Sequence, residues 1–381
     1  MDKYWRQFKT PFLCFAGYTG TGKTTLLERL IKRFRSEGIR IGYYKHDAHR
    51  FTIDREGKDT FRCSRAGAEM VAINDPTHFA VIGDDDFKKT AVTHALEQCD
   101  CILIEGYKKS PFDKMVFLDS QGQLPIPADT PGIKAVVHQG DSTGWDPKDS
   151  RVPVFHRDEV ESIYRFVKSH FYERSVPLYG AVMAGGQSRR MGKPKFSLTY
   201  NGKPEAPRMA ELLSQFCERV FLSAGAGGRE NGLSLIPQCE RIDDEHAGLG
   251  PVGGLATLMS RYPDHAWLIA ACDLPFLRER TLARLLRERD SLKYGTCYLQ
   301  KGRLGVEPLC AIYEPKFIAP LFEAMSRREL SLSRIIRQVS FKLIQIPEED
   351  RHHFTNVNTP EEYELARKLL KGDASSRERE P

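Results

Sequence analysis

The second half of the chain contains a glycine-rich segment followed by cations, a combination that can hold a polyphosphate. A short apolar run ends in two adjacent glycines, Gly185 and Gly186, and three cationic side chains follow, Arg189, Arg190 and Lys195. Glycine lets the backbone approach a phosphate closely, and arginine and lysine add charge-assisted hydrogen bonds. The adjacent glycines differ from the Gly-x-Gly-x-x-Gly spacing of dinucleotide-binding loops. The segment predicts a phosphate-binding turn after a strand, with a basic glycine loop of any other α/β protein as the alternative.

A second phosphate-binding pattern lies near the N-terminus. Residues 17–25 read GYTGTGKTT, which fits Gly-x-x-x-x-Gly-Lys-Thr, with an apolar run before it and helically spaced leucines after it. This order of strand, loop and helix is the context of a P-loop. We expect Lys23 to reach the β- and γ-phosphates and Thr24 to bind Mg²⁺. The predicted nucleotide-binding residues are Gly17, Gly20, Gly22, Lys23, Thr24 and Thr25.

Two carboxylates stand at the ends of buried-strand patterns. Glu105 ends an apolar run that starts at Cys101, and Asp273 directly follows the run 266–272. Ligands bind at the carboxyl ends of strands in α/β sheets, and carboxylate oxygens suit Mg²⁺. We therefore expect Asp273 to bind metal, although it could instead cap a helix, and we expect Glu105 to hold the water shell of Mg²⁺ or to orient a water. We expect Asp100, which precedes the first run, to lie on the surface.

The stretch after the second predicted strand carries His46, Asp47 and His49. Two histidines near a carboxylate can bind a metal ion. On spacing alone, a solvated loop explains these residues equally well.

Composition narrows the class of protein. The 381 residues suggest two or three domains, and a net charge of +6 does not argue for nucleic acid as a ligand. Nine scattered cysteines without a Cys-x-x-Cys pair suggest a reducing compartment. No apolar segment fits a signal peptide, and no run approaches the ~18 residues of a spanning helix. We therefore expect a cytoplasmic protein without a membrane partner.

The second half resembles the molybdenum cofactor guanylyltransferases (MobA) over roughly residues 178–370. The residues that match the family signature are Met183, Ala184, Gly185, Gly186, Ser188, Arg190, Met191, Gly192 and Lys195. The related cytidylyltransferases usually carry Ala-Ala-Gly at the position of Ala184, Gly185 and Gly186, so the resemblance favours guanine. The chain departs from the family at Ser223, Ala224 and Gly225, where an asparagine usually stands.

This resemblance implies roles for particular residues. GTP contacts are implied for Met183, Ala184, Gly185, Gly186, Lys195, Asp243 and Asp273. The implied catalytic residues are Lys195, Arg190 and Asp273, and Asp273 is also the implied Mg²⁺ ligand. Asn356 and Asn358, from a closing Asn-x-Asn-Thr-Pro-Glu motif, are placed on the pterin side.

The first half resembles the molybdopterin-guanine dinucleotide biosynthesis adapter (MobB), a small P-loop GTP-binding protein, over roughly residues 10–170. The matching motifs are Lys45-His46 with His49, Asp54 with Gly57, Lys58 and Asp59, Ala66-Gly67-Ala68, and Glu105 to Lys108. A guanine-reading Asn-Lys-x-Asp motif is not found in this half. The choice of guanine there is therefore implied by the resemblance alone.

Together the patterns predict an α/β protein with two domains, a P-loop NTPase-like domain followed by a Rossmann-like nucleotidyltransferase domain of the glycosyltransferase-A type. The predicted boundaries are residues 1–172, a linker at 173–178, residues 179–371, and a disordered tail at 372–381. The predicted reaction transfers GMP from GTP to molybdopterin, or to its molybdenum-loaded form, with Mg²⁺ as cofactor and pyrophosphate as the second product. The first domain is predicted to be a GTP-binding adapter, with weak GTPase activity left open.

The resemblance also implies partners, namely molybdenum insertion proteins and apo-molybdoenzymes or their chaperones; a homodimer is left open. Three other functions stay open as alternatives. The first is a cytidylyltransferase or sugar-phosphate nucleotidyltransferase, and the second is a GTPase that carries and delivers the cofactor. The third is a small-metabolite kinase in the first half.

Overall fold

The computed structural model describes residues 9–46, 55–83, 92, 94–119, 121, 123, 130–140, 152–173, 176–185, 191, 195–200, 202–225, 239–300 and 305–377. The chain divides between residues 174 and 175 into two compact units, and this point lies inside the segment expected to be the linker. Both units combine helices with mainly parallel sheets, which confirms the predicted fold class.

The first unit is built on a parallel sheet. Its strands are β1 (Phe12–Ala16), β2 (Ile41–Lys45), β3 (Met70–Asn74), β4 (Phe79–Gly83), β5 (Cys101–Glu105), β6 (Lys114–Phe117), β7 (Ile133–His138) and β8 (Val154–His156). Its helices are α1 (Lys23–Ser36), α2 (Asp59–Arg65) and α3 (Val160–Tyr172). Six strands form the sheet in the order β2-β5-β1-β6-β7-β8, while β3 and β4 form a separate antiparallel hairpin. Strands β1 and β5 are buried along their whole length, as the continuous apolar runs predict for a covered parallel sheet.

The second unit has a mixed sheet of seven strands. Its strands are β9 (Leu178–Met183), β10 (Thr199–Tyr200), β11 (Lys203–Pro204), β12 (Arg219–Ala224), β13 (Glu240–Asp243), β14 (Ala266–Ala271), β15 (Gly295–Leu299), β16 (Val306–Tyr313) and β17 (Lys342–Gln345). Its helices are α4 (Glu205–Ser214), α5 (Pro251–Arg261), α6 (Glu279–Arg287), α7 (Ile318–Ser326), α8 (Leu332–Gln338) and α9 (Pro360–Arg377). The sheet order is β13-β12-β9-β14-β16-β15-β17, and only β16 runs antiparallel to its neighbours.

Both faces of this second sheet are covered by packed side chains. Along β14, Leu268 and Ala270 join the core on one face, and Trp267 and Ile269 join the core on the other. This alternation follows the two-residue period of a strand. The ends of β9, β12 and β14 are thereby held side by side, and these ends carry the residues of interest.

Two expectations differ from the structure. Asp100 is fully buried rather than on the surface, because its carboxylate accepts the backbone N–H of Arg40 at 2.8 Å and pairs with the Arg40 guanidinium at 3.6 Å. Helix α9 extends to Arg377, into the segment 372–381 that was expected to be a disordered tail; residues 378–381 lie outside the described part.

Among the described residues, no helix is both long enough and apolar enough to cross a membrane. None of the nine cysteines, all of which lie in the described part of the chain, forms a disulfide.

Candidate functional site

The loop between β1 and α1 has the backbone of a phosphate cradle. Gly20 and Gly22 have φ angles of 82° and 81°, in the left-handed region that favours glycine. At Gly17 a Cβ atom would lie 2.8 Å from the Cβ of Phe117, so a larger residue does not fit without a shift. Helix α1 begins at Lys23, and the free N–H groups of a helix start attract anions.

Lys23 is held inside this loop. Its Nζ donates to the carbonyl oxygen of Tyr18 at 2.5 Å and to Oγ1 of Thr21 at 3.3 Å. Burial lowers the pKa of Lys23; the Glu105 carboxylate opposes this shift, while Lys108 and Lys45 add to it. Three cations around one carboxylate make the cradle suitable for a polyanion.

The two residues predicted at the Mg²⁺ site of the first unit lie in contact. Oγ1 of Thr24 donates to Oε2 of Glu105 at 3.1 Å, and the hydroxyl of Tyr43 donates to the same oxygen at 2.9 Å. Burial, together with the bond to Glu105, raises the pKa of Tyr43. Hydroxyl and carboxylate oxygens are a donor set that Mg²⁺ accepts, so these residues fit the predicted ion. The neighbouring Thr25 is exposed.

The start of the Lys45-His46 motif packs against the end of β5. The ring of His46 stacks on Tyr107 with centroids 4.1 Å apart, and its backbone N–H donates to the carbonyl of Glu105 at 2.9 Å. Gly106 has a φ of 121°, and a Cβ there would lie 2.9 Å from the carbonyl oxygen of His46. Asp47 and His49 lie outside the described residues, so the alternative metal site stays a prediction.

In the second unit, three of the predicted residues meet at the end of β14. Nζ of Lys195 lies 3.1 Å from Oδ2 of Asp273 and 2.6 Å from Oδ1 of Asn358. The backbone N–H of Val357 donates to the carbonyl of Asp273 at 3.0 Å, which ties the closing motif to the same strand end. Glu362 accepts the backbone N–H groups of Asn358 and Thr359 at 2.6 and 3.1 Å, and this capping contact orients the motif.

The end of β9, where the glycine loop begins, lies beside the end of β14. Met183 ends β9, and the N–H of Ala184 donates to the carbonyl of Ser223 at 2.9 Å on the neighbouring β12. A Cβ at Gly185 would lie 3.2 Å from the backbone nitrogen of Gly225, so the two strand ends approach closely. Gly186 and Arg190 lie outside the described residues.

Two further predicted residues lie at other positions. Asp243 ends the edge strand β13, where its Oδ1 accepts from Nε of Arg241 at 2.7 Å and its side chain is 63% exposed. Asn356 is exposed in the closing motif. Next to Asp243, Asp244 is directed at the start of α5, where its Oδ1 accepts from the N–H of His246 at 2.7 Å and a Cβ at Gly253 would lie 2.8 Å from its Oδ2.

A buried ion pair that sequence patterns did not reveal supports the Asp273 loop. Glu205, which is fully buried, binds Arg208 through two hydrogen bonds of 2.8 and 2.7 Å. Arg208 also donates to the carbonyl oxygens of Leu274 and Leu277 at 3.1 and 3.2 Å. The i, i+3 spacing of opposite charges on α4 was the available signal, but it is also the pattern of an exposed helix face.

Glu307 was also missed. The pairing of Ala270 with Cys310 carries this β16 residue to the Asp273 end of β14. Burial raises the pKa of Glu307 to about 7; a hydrogen bond from Gln300 opposes the shift and the charge of Asp273 adds to it. A lone carboxylate in the apolar strand VEPLCAIY was the signal.

His353, which lies just before the closing motif in sequence, holds that part of the chain in place through a buried contact. This histidine is 1% exposed, and its Nδ1 lies 2.7 Å from Oγ1 of Thr281 on α6. Burial lowers the pKa of His353 to about 4, with a smaller contribution from His352. The ring is therefore neutral near pH 7 and holds the 3₁₀ segment Glu348–Phe354 in place.

These features define a class for each unit: a P-loop nucleotide-binding domain, followed by a nucleotidyltransferase-type α/β domain. Residues 12–139 match the family described as molybdopterin guanine dinucleotide synthesis protein B. Residues 180–343 match the MobA-like NTP transferase domain.

Relatives agree with this division. A probable molybdenum cofactor guanylyltransferase of Opitutus terrae is 31% identical over 199 residues, 50% of this chain and 95% of that protein. The molybdopterin-guanine dinucleotide biosynthesis adapter protein of Escherichia coli is 35% identical over 122 residues, 30% of this chain and 70% of that protein. A molybdenum cofactor biosynthesis bifunctional protein of Synechocystis is 31% identical over 187 residues, 49% of this chain, and the match spans about half (53%) of that protein's length.

The chain therefore belongs to the MobB adapter family in its first unit and to the MobA-like molybdenum cofactor guanylyltransferase family in its second, joined in one polypeptide. This confirms the predicted fusion.

Removal of the Arg208 charge should destabilise the second unit. In Arg208→Met the Glu205 carboxylate stays buried without its partner, which costs about 3–5 kcal/mol. The double variant Glu205→Leu/Arg208→Met should recover most of this loss, because an apolar pair of similar volume avoids burial of charge. Urea unfolding of the three proteins measures both effects. Equal stability of Arg208→Met and wild type would contradict the assigned role.

Acid should weaken the anchor at His353. Its folded pKa lies below the usual value of about 6.5, so its stabilising contribution is complete above that pH and is lost as the pH falls towards 4. Between about pH 7.5 and about pH 5, wild type should lose up to ~2 kcal/mol more than His353→Gln. Urea unfolding of both proteins at both pH values measures this difference. Parallel losses in wild type and His353→Gln would show that the anchor does not titrate as described.

Proposed function

We propose that the second unit transfers GMP from GTP to molybdopterin, forming the guanine dinucleotide cofactor and pyrophosphate. The observation that carries this proposal is the contact of the Lys195 ammonium with both Asp273 and Asn358. It joins a glycine-loop cation, a strand-end carboxylate and the closing amide motif at one point. Membership of the guanylyltransferase family supports the choice of reaction and substrates.

The reaction needs no protein nucleophile. A terminal phosphate oxygen of molybdopterin attacks the α-phosphorus of GTP, and the bond from the α-phosphorus to the oxygen shared with the β-phosphorus breaks. Pyrophosphate leaves with that oxygen. Positioning and charge neutralisation then account for most of the catalysis.

The chain's own residues supply both the positioning and the charge neutralisation. Lys195 can donate to phosphate oxygens, while Asn358 and Asp273 fix the position of its ammonium group. Gly185 is exposed and carries no side chain, so its backbone can approach a phosphate closely. Asp273 presents carboxylate oxygens that fit Mg²⁺, which when bound neutralises charge on the reacting phosphates. Contacts from Arg190 to phosphate, Asp243 to guanosine and Asn356 to the pterin belong to the same proposal.

The first unit binds GTP through Lys23, Thr24 and Glu105, and the contact between Thr24 and Glu105 supports an Mg²⁺–nucleotide complex at this loop. A second proposed function is delivery of the cofactor to apo-molybdoenzymes or their chaperones, and the description of a relative of this unit as an adapter protein of molybdopterin-guanine dinucleotide biosynthesis supports it. The P-loop is the specific feature that favours it, because bound nucleotide can act as a switch.

Asp273→Ala should abolish transfer more than it weakens GTP binding. Loss of the metal-binding carboxylate should lower turnover by about 1000-fold or more, since metal ions supply several kcal/mol to such reactions, while the other GTP contacts remain. Transfer of label from α-labelled GTP to molybdopterin, with CTP and ATP as competitors, measures the reaction and the base preference together. The exposed carboxylate variant Glu211→Ala is the control. Equal loss of binding and turnover in Asp273→Ala would remove the metal role from this residue.

Lys23→Ala should remove nucleotide binding from the first unit and leave transfer in the second. Lysine contacts to phosphate are charge-assisted, so the affinity should fall about 10-fold or more. Fluorescent GTP analogues measure the number of sites and their affinities, and Lys32→Ala on the exposed face of α1 is the matched control. A folded Lys23→Ala protein without transfer activity would show instead that the second site needs nucleotide in the first.

A further inference from the structure

Arg157, which comes late in the sequence of the first unit, lies against the P-loop. A Cβ placed on Gly22 would be 3.2 Å from Nη1 and 3.6 Å from Cδ of Arg157. Arg157 directly follows β8, more than a hundred residues after the loop in sequence. Gly22 is therefore confined both by its φ of 81° and by this guanidinium.

Arg157 is held in this position from two sides. Its Nη1 donates to Oε1 of Gln139 at 2.7 Å, and its backbone N–H donates to the carbonyl of His138 at 2.8 Å. The next residue, Asp158, pairs with Arg29 on α1 at 3.4 Å. The turn after β8 is thus tied both to the end of β7 and to the helix that follows the P-loop.

The guanidinium can still reach a ligand. Its side chain is 40% exposed; Gln139 accepts from one of its five N–H donors, and Oδ1 of Asp158 lies 4.0 Å from its Nε, so the Nη2 side of the fork can face a ligand. The planar fork of an arginine matches two oxygens of a phosphate, which makes it a more specific phosphate ligand than lysine.

The order of the strands in the sheet indicates which end of a bound nucleotide would lie near Arg157. Glu105 and Thr24, which fit Mg²⁺ at the β- and γ-phosphates, lie on the β5 side of β1. Gln139 and Arg157 follow β7 and β8, on the other side of β1. Because ligands of parallel sheets lie along the carboxyl ends of the strands, the nucleoside end of a nucleotide would extend towards β7 and β8.

We propose that Arg157, held by Gln139, binds the α-phosphate at the nucleoside end of a nucleoside di- or triphosphate in the P-loop. This inference rests on the proposed binding of nucleotide by the first unit. It adds a ligand contact that no motif near the P-loop supplies.

The test compares full-length Arg157→Ala, Arg157→Lys and Gln139→Ala with Arg165→Ala, an exposed arginine on the neighbouring α3 whose side chain is 75% exposed. Fluorescent GDP and GTP analogues are the probes, and the P-loop signal is the binding that Lys23→Ala abolishes. Loss of a charge-assisted hydrogen bond should weaken Arg157→Ala about 10-fold or more for GDP and GTP alike. Arg157→Lys and Gln139→Ala should show smaller losses, and Arg165→Ala should show none.

Two results would overturn the inference. Unchanged affinities in a folded Arg157→Ala protein would exclude the contact, and a loss confined to GTP would place Arg157 at the γ-phosphate instead. Thermal unfolding of the same preparations reports whether the first unit of each variant is folded, and guanylyl transfer reports on the second unit. If wild type shows no binding that depends on Lys23, the proposed function of the first unit fails, which is a result distinct from the failure of Arg157 alone.

Discussion

The ion pair between Lys195 and Asp273 is the interaction on which the site of the second unit depends. Its partners lie 78 residues apart in sequence, and Asn358, 163 residues from Lys195, accepts from the same ammonium. They meet because β9 and β14 are neighbouring parallel strands whose carboxyl ends lie at one edge of the sheet. The pair Glu205–Arg208 then fixes the loop after Asp273, so a buried charge pair positions an accessible one.

The proposed phosphate sites of the two units share one arrangement of strands. In the first, the glycine loop follows β1 and the carboxylate Glu105 ends its parallel neighbour β5. In the second, the loop follows β9 and Asp273 follows its parallel neighbour β14. Neighbouring strands lie about 4.8 Å apart, so a loop and a carboxylate at adjacent strand ends can contact one polyphosphate. In the proposed sites, one strand brings the backbone N–H groups and the other brings the carboxylate oxygens that fit Mg²⁺.

Local patterns explain why these strand-end residues were predictable. An apolar run followed by glycine or by a carboxylate predicts both a strand and the position at which the strand ends. Lys23, Thr24, Glu105 and Asp273 could therefore be found in the sequence. The burial of a charged side chain leaves no such local pattern in the sequence. Asp100 was wrongly placed on the surface because its partner, Arg40, is 60 residues away, and Glu205 and Glu307 are buried by contacts that only the folded chain makes.

The same reasoning applies to the missing Asn-Lys-x-Asp motif of the first unit. A consecutive motif is one way to bring polar groups to a nucleotide, but a parallel sheet offers another, since every strand ends at the same edge. Arg157, which follows β8, lies against the P-loop, and a hydrogen bond to Gln139, which follows β7, holds its guanidinium there. Absence of the motif therefore does not leave the nucleoside end of this site without polar side chains; it means that those side chains come from separate turns.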